Sequence, residues 1–366
     1  MTTHPSRVRS GEGAAVDSGR LAGPDVVRAV ALIGVALMNY HGYLIIRGGE
    51  RDTGLFDPWR GPLSTRFAAT FVLTAGVGVT LLTRRAIGDA TLTSLRRWTL
   101  VRRGLVLFGF GLLFDFVWAG TILPYYGVMF IVGAVVFTLS TVAVAAVGGT
   151  AAVAGAVIAW WGLERRLDDD PVSWLYRPGT RSPRGVVLDV FVNGTHPLLP
   201  WLAFFCAGIV AGRALSSPTW RQTAAGTGMV LFGGATLASA LAGDGARAVV
   251  LASTDSFNRG LLYTASALGT ALLAFAAISW MAERYAASPV VDALRHAGAM
   301  TLTLYIAHAL VFNLVVDWWG WVEPGGLGTA VSLAAAFWAV AIVAGWWYHR
   351  RFGIGPAEWL YRRLGA

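Results

Sequence analysis

Imidazole is the side chain best suited to take a proton from an amine or hydroxyl near neutral pH. Two of the 6 histidines stand where ionisable groups are scarce. His41 closes the stretch Met38-Asn39-Tyr40-His41-Gly42, at the end of an apolar run that opens Pro24-Asp25-Val26-Val27-Arg28-Ala29. His196 lies in Asn193-Gly194-Thr195-His196-Pro197-Leu198-Leu199-Pro200-Trp201, at the start of another. Proline suits a first helical turn, so His196 is expected at a helix N-terminus, whose partial positive charge keeps a neutral base available. An interfacial histidine beside a tryptophan anchor accounts for the same stretch equally well.

Helical phase groups the first run further. At 100° per residue, Asp25, Arg28 and Asn39 share a face, because eleven steps return to within about 20°. His41 would lie about 220° from Arg28, but Gly42 is expected to end the helix there. An Asp25–Arg28 pair capping the helix start is the plainer reading of those two residues. His308, in Tyr305-Ile306-Ala307-His308, falls near the middle of a later run, where an interhelical hydrogen bond is expected. His296 and His349 look like flanks of spans, and Asp317 like a helix end.

Alternation then brings scattered residues to one side. His41 ends one run, Arg66 starts the next, Asp115 ends the third, Tyr125 and Tyr126 begin the fourth, and His196 begins a later one. One acid, two bases, an arginine and two phenols at one depth form a polar site. They are equally readable as unrelated interfacial residues, and the sequence leaves both open.

Several chemistries are absent from the chain. All 29 basic residues are arginine, which removes Schiff-base chemistry and a phosphate-loop lysine. The single cysteine, Cys206, excludes an intramolecular disulfide and multi-cysteine metal sites. No HExxH, GxSxG or P-loop pattern occurs, and the histidines lack ligand spacing, so no metal is expected.

The elements that must position these residues follow from composition. Of 366 residues 55% are hydrophobic and 13% charged, about half the share of charge in a soluble globular chain. With a mean hydropathy of +0.59 this is an integral membrane protein. The net charge of +9 does not point to nucleic acid, because the arginines are dispersed between apolar runs. A span needs roughly 20 apolar residues. Ten runs meet or approach that: about 24–45, 66–86, 101–119, 121–142, 144–163, 197–214, 223–243, 258–281, 299–317 and 327–348. The fourth and fifth are expected to part around Gly148. The first lacks a cleavage site and is too long for a signal segment, so it is taken as retained.

Counted in alternate gaps, arginines number 17 on one side and 11 on the other, with Arg28 inside the first run. The richer side holds Arg96, Arg97, Arg102 and Arg103, and both termini are expected to be cytoplasmic with it. Gly208–Gly212 is a small-xxx-small element that lets backbones approach. Such faces serve a homo-oligomer as well as packing within one chain. No internal repeat supports an inverted-repeat transporter. The expected organisation is an N-terminal polar tail at 1–22, one all-α membrane domain at 23–349 and a C-terminal tail at 350–366.

The chain resembles the bacterial YeiB-like membrane proteins (DUF418) and the neighbouring heparan-α-glucosaminide N-acetyltransferase-like membrane proteins (DUF1624). The likeness is carried by the first span with Asp25, Arg28 and Asn39, by Arg66 to Gly78, by Arg102 to Gly127 ending TILPYYG, and by Asn193 to Arg213. The ending Gly355-Pro356-Ala357-Glu358-Trp359-Leu360 is similar to the YeiB-type C-terminus. The resemblance implies a transmembrane acyltransferase bundle in the bacterial cytoplasmic membrane. It would move an acyl group, acetyl first of all, from cytosolic acyl-CoA to a sugar or envelope acceptor outside. In the glucosaminide branch a histidine of the first extracytoplasmic loop is central; here the loop from Tyr43 to Ser64 has none, Ala29 replaces the usual glycine, and Thr121 stands where many relatives carry aspartate.

On this reading His41 or His196 is the base or a transient acyl carrier, Asp115 orients the imidazole, and Asn39, Arg66 or a tyrosine hydroxyl meets the oxyanion. Arg28, Arg96, Arg97, Arg102 and Arg103 serve the CoA phosphates and pantetheine, while Arg66, Tyr125 and Tyr126 serve the acceptor. The rival class is a transporter or flippase, in which the same polar residues line a path.

Overall fold

The computed structural model describes residues 22–170, 172–176, 182–243 and 245–365. Most of the expected N-terminal tail, with Arg7, Arg9 and Arg20, lies outside the described residues, as do Arg177 and Arg181. Among the described residues every regular element is helical. The first half runs α1 (Ala22–Ile46), α2 (Arg66–Thr83), α3 (Ala90–Phe114), α4 (Leu123–Val136) and α5 (Thr141–Leu167). Short α6 (Ser173–Tyr176) and α7 (Pro183–Leu188, continued by a π turn to Asn193) precede α8 (Leu198–Ala214). Then come α9 (Trp220–Leu241), α10 (Ala246–Leu251), α11 (Leu261–Arg284) and α12 (Pro289–Ala299). The chain closes with α13 (Thr301–Phe312, continued by a π turn to Trp318), α14 (Leu327–Phe352) and α15 (Pro356–Leu364).

Seven helices are long and apolar enough to cross a membrane: α1, α2, α5, α9, α11, α13 with its π turn, and α14. An eighth span results if α7 with its π turn and α8, bent by 57°, count as one. The chain is a multi-pass membrane bundle. Each of the ten expected runs falls on a helix, but among the described residues seven qualify as spans, or eight with the bent pair, so the count of ten is not reached. α3 carries Arg96, Arg97, Arg102 and Arg103 in its first 14 residues, and α4 is 14 residues long.

α1 is the central rod, packed on α2, α11, α12, α13 and α14. Its residues Leu32, Ala36, Tyr40 and Leu44, spaced one turn apart, are all fully buried. In hydrocarbon such burial brings little hydrophobic gain, so cohesion rests on close packing. Reciprocal glycine contacts supply it: a methyl on Gly127 of α4 would sit 2.6 Å from the Gly104 carbonyl oxygen of α3, and one on Gly228 of α9 2.9 Å from that of Gly269 of α11. The Gly208–Gly212 element seats α8 on α2, with Gly208 against Gly76 and Gly212 against Thr80.

Two expectations are corrected by the helix boundaries. Gly42 does not end α1, which continues to Ile46 and turns at Gly48 (φ +94°). The fourth and fifth runs part at Ser140, whose hydroxyl accepts the Ala143 N–H, and Gly148 lies within α5 against Cys206. The C-terminal segment contains α15, which is pinned to the start of α13. Glu358 accepts the N–H groups of Leu302 (2.6 Å) and Thr303 (3.2 Å) through Oε1 and the Thr303 hydroxyl through Oε2. A carboxylate at a helix N-terminus satisfies donors that no carbonyl can reach and complements the dipole, which gives the Gly355–Leu360 motif its structural role.

Helix levels are unequal. Gly34 faces Phe67, the second residue of α2. The remaining twelve residues of α1 therefore rise about 18 Å past the level where α2 begins. Segment 47–65 descends along that height. The end of the bundle holding this segment is called the loop end, and the opposite one, with the α3 arginines, the arginine end.

Candidate active site

His41 is fully buried near the top of α1. Its Nδ1 lies 2.8 Å from the Phe56 carbonyl oxygen, which can only accept, so the proton sits on Nδ1. Nε2 keeps its lone pair, is buried and has no partner. The loop that supplies this carbonyl is itself tightly built. Asp57 Oδ1 accepts the N–H groups of Trp59 (3.0 Å) and Arg60 (3.2 Å), and Oδ2 accepts two N–H bonds from Arg51, at 2.7 and 3.1 Å. The Ser64 hydroxyl donates to the Pro58 carbonyl. Burial pushes the Asp57 carboxyl upward, but the Trp59 and Arg60 N–H groups and the Arg51 guanidinium outweigh it and hold its pKa below the ordinary carboxylate value.

His196 occupies the break before α8. Pro197 is the N-cap and Leu199 departs from helical geometry, so His196 stands just outside the helix whose N-terminus it was expected to share. Its ring is wedged between Tyr125 and Trp201, with centroids 5.9 and 4.6 Å away, and its Nδ1 is buried without a partner. The break is held from two sides. The Tyr125 hydroxyl donates to Asp189 Oδ2 (2.7 Å) and accepts the Thr195 N–H (3.1 Å). Arg259 donates to the carbonyls of Val192 (2.7 Å) and Gly194 (2.6 Å). Gly194 is obligatory, since a Cβ there would overlap the Tyr125 hydroxyl and crowd the Asp189 carbonyl oxygen.

A second polar line crosses the core below His41. Asn39 Nδ2 donates to His308 Nε2 at 3.3 Å, because His308 Nδ1 donates to the Tyr305 carbonyl. The interhelical bond expected of His308 is thus made with α1. Tyr40 donates to the His308 carbonyl (2.9 Å), and the Tyr305 hydroxyl pairs with Thr121 (3.0 Å) while accepting the Ile122 N–H (3.1 Å). Tyr126, within electrostatic range of Arg28 and Tyr305, has a buried hydroxyl with no partner.

Other expected site residues are engaged locally. Asp115 Oδ1 accepts the Gly120 N–H at 2.8 Å, so the Phe56 carbonyl rather than Asp115 orients His41. Arg66 donates to the carbonyls of Thr254 (3.0 Å), Pro62 (3.3 Å) and Tyr263 (3.4 Å) and lies over the Tyr263 ring. Arg28 sits between α1 and α2, 3.5 Å from Asp25 and 3.3 Å from the Thr74 carbonyl, in space left by the missing Cβ of Gly78. The unbroken α1 turns it away from His41, onto another face.

At the arginine end Arg97 donates to the Ala134 carbonyl (3.0 Å). Arg103 lies over the Tyr361 ring of α15, with its Nε buried and unpartnered, and within electrostatic range of Arg96 and Arg362. Arg102 is exposed.

A cavity of about 810 Å³ opens at the loop end. Pro58 and Arg60 of the loop behind which His41 lies form one wall, and Thr195 and Trp201, which flank His196, form another. Neither histidine is itself in the lining: the Trp201 ring lies between His196 and the cavity, and Pro58, which approaches Gly42, belongs to the wall on the side of α1. Sequence reasoning did not single out Phe56, Asp57, Asp189 or Tyr305; only Asp57 carried a signal, an Asp-Pro turn. No group of three His, Cys, Asp or Glu side chains suited to a metal occurs among the described residues.

Residues 20–240 match the family described as heparan-alpha-glucosaminide N-acetyltransferase, catalytic. Residues 201–366 match the one described as protein of unknown function (DUF418). No curated protein matches the chain.

Proposed function

The chain belongs to the heparan-alpha-glucosaminide N-acetyltransferase catalytic family, and from that premise we propose that it transfers an acetyl group from acetyl-CoA, or another acyl from its CoA thioester, to an amine or hydroxyl of a saccharide or envelope component. The donor enters at the arginine end, which faces the cytoplasm together with both termini of this bacterial inner-membrane protein. The acceptor binds at the loop end.

The observation that carries the reading is His41, held in one tautomer by the Phe56 carbonyl with a buried, unpartnered Nε2. That is the state of a general base awaiting a proton donor. His41 Nε2 takes the acceptor proton as the acceptor nitrogen or oxygen bonds to the thioester carbonyl carbon. The tetrahedral intermediate then collapses, the C–S bond breaks, and the imidazolium returns the proton to the CoA thiolate. Arg28 to His41 spans about 20 Å along an unbroken helix, so the pantetheine arm must thread between the glycine-lined helices. Arg96, Arg97, Arg102 and Arg103 attract the phosphates. Tyr125 and Arg66 shape the acceptor side.

A second reading assigns the base to His196, on the strength of its unpartnered Nδ1 beside the same cavity. An acyl-histidine intermediate fits either residue.

The test is thermal unfolding of the purified chain in detergent with acetyl-CoA, free CoA and ATP, followed by acetyl transfer with radiolabelled donor. A ligand at a hundred times its Kd stabilises the native state by about 2.7 kcal/mol. A shift with acetyl-CoA and CoA but not ATP is expected. No shift at any concentration removes the donor site, and substrate flux without CoA release would instead identify a transporter or flippase.

A further inference from the structure

Two cavities share three helices. The polar one at the loop end is walled by Gly155 of α5, Trp201 of α8 and Tyr263 of α11. A second, of about 490 Å³, is lined by Ala152 of α5, Ala203 of α8 and Thr264 of α11, and by Leu231 of α9. On each shared helix the two linings are one to three residues apart, at most about 5 Å along the axis. The two cavities are thus neighbours along the shared helices.

The second cavity is a groove of a different kind. Alanine, glycine, valine and leucine dominate its walls, and its Thr264 hydroxyl is spent on the Gly260 carbonyl. It runs on helices apolar and long enough to span a membrane, and it is open sideways: Ala145, Gly149, Thr223 and Thr227 at its rim are exposed. The neighbouring surface of α5 and α9 is apolar and exposed as well, with Val142, Val153, Met229 and Val230. In a bilayer this groove faces hydrocarbon, and its contents come from there.

Its dimensions select the occupant. Along α8 the lining extends from Ala203 to Ala214, about 16 Å. A single extended hydrocarbon chain fits that length, and the polar cavity at its end offers a place for a headgroup. The upper cavity of about 810 Å³, with Arg60 and Arg259 among its walls, has the size and polarity for a small polar headgroup.

Resting on the acyltransferase reading, we infer that the acceptor is a membrane-anchored amphiphile, a saccharide carried on a long hydrocarbon chain. Its head lies in the polar cavity and its chain in the groove between α5, α8, α9 and α11. A water-soluble saccharide would occupy the upper cavity alone.

The full chain in nanodiscs is given radiolabelled acetyl-CoA and methyl, butyl, octyl or dodecyl glucosaminide. kcat/KM is expected to rise about tenfold or more from methyl to dodecyl, a factor equal to about 1.4 kcal/mol. Gly149→Phe, at a lining position whose Cβ would meet nothing within 4 Å, adds a ring at the groove's rim without a clash at Cβ. It should abolish the dodecyl advantage and leave methyl glucosaminide unchanged. Equal kcat/KM across the series overturns the inference while leaving acetyl transfer standing. A dodecyl glucosaminide with a diazirine at its chain end reads the groove without turnover. Labelling within residues 203–231, reduced in Gly149→Phe, supports the inference even if no acceptor is acetylated, a result that would count against the acyltransferase reading alone. Labelling spread over the lipid-facing surface, or a crosslinked second copy, overturns it.

Discussion

The Nδ1–H of His41 donates to the carbonyl of Phe56, 2.8 Å away, and so ties the upper turns of α1 to the loop that folds back over them. One ring nitrogen is spent on position and the other is left free for chemistry, a division common to histidines that act as bases. His41→Asn keeps a donor near the Nδ1 position and removes the base. Acetyl transfer should fall about 10²–10⁴-fold while the melting temperature stays close to wild type. Undiminished turnover in both His41→Asn and His196→Ala would remove imidazole catalysis altogether.

Asp57 holds the loop that holds His41. Losing its four hydrogen bonds in Asp57→Ala should cost about 1–3 kcal/mol and lower turnover without touching the reacting atoms. Its pH signature has a definite sign. Because the folded carboxyl lies below its ordinary value, its stabilising effect is complete above the unfolded pKa near 3.9 and fades as pH falls through the folded value. The gap in melting temperature between wild type and Asp57→Asn should therefore be constant at neutral pH and close only below about pH 4. A gap that closes on the alkaline side would contradict this account.

Gly194 and Tyr125 compete for the same space. A Cβ on Gly194 meets the Tyr125 hydroxyl, so Gly194→Ala should destabilise by about 1–3 kcal/mol. Tyr125→Phe alone leaves the Thr195 N–H without its acceptor and Asp189 without its donor. The double variant should lose less than the sum of the single ones, with a coupling of about 0.5–3 kcal/mol. Strict additivity in thermal unfolding would show that the two do not meet.

Glu358 should behave as a helix cap supplied from a distance. Glu358→Ala is expected to cost about 1–2 kcal/mol and to raise protease cleavage between Gly353 and Pro356, as α15 comes away from α13. Unchanged cleavage would mean that α15 is held by its ring contact with Arg103 instead.

The spans were legible because a fixed rise per residue turns hydrocarbon thickness into a run length: the expected run 327–348 is α14, Leu327–Phe352. Ends governed by caps were not. α3 begins at Ala90, eleven residues before its apolar run, because Asp89 accepts the Leu92 N–H and a polar stretch can stay helical outside the membrane. Gly42 and Gly148 looked like breaks but lie inside helices, and Gly148 serves close packing against Cys206, a role that depends on what lies opposite. Within the candidate site His41 and His196 stood out as candidate bases by residue type and position. Their partners did not: Phe56 acts through a backbone carbonyl, which any residue has, and Tyr305 and Asp189 are brought in by folding from 184 and 64 residues away from the groups they bind.

The height by which α1 overtops α2 also sets a rule for loop length. Covering about 18 Å takes five or six extended residues, and the segment between Ile46 and Arg66 is roughly three times that. The surplus is what builds the Asp57 turn that presents the Phe56 carbonyl. A relative with a first loop trimmed to the bare reach could still connect the two helices, yet it would have nothing to hold a histidine at position 41. Insertions and deletions here should therefore track the residue at 41: long loops kept wherever it is histidine, short ones tolerated only where the base has moved elsewhere.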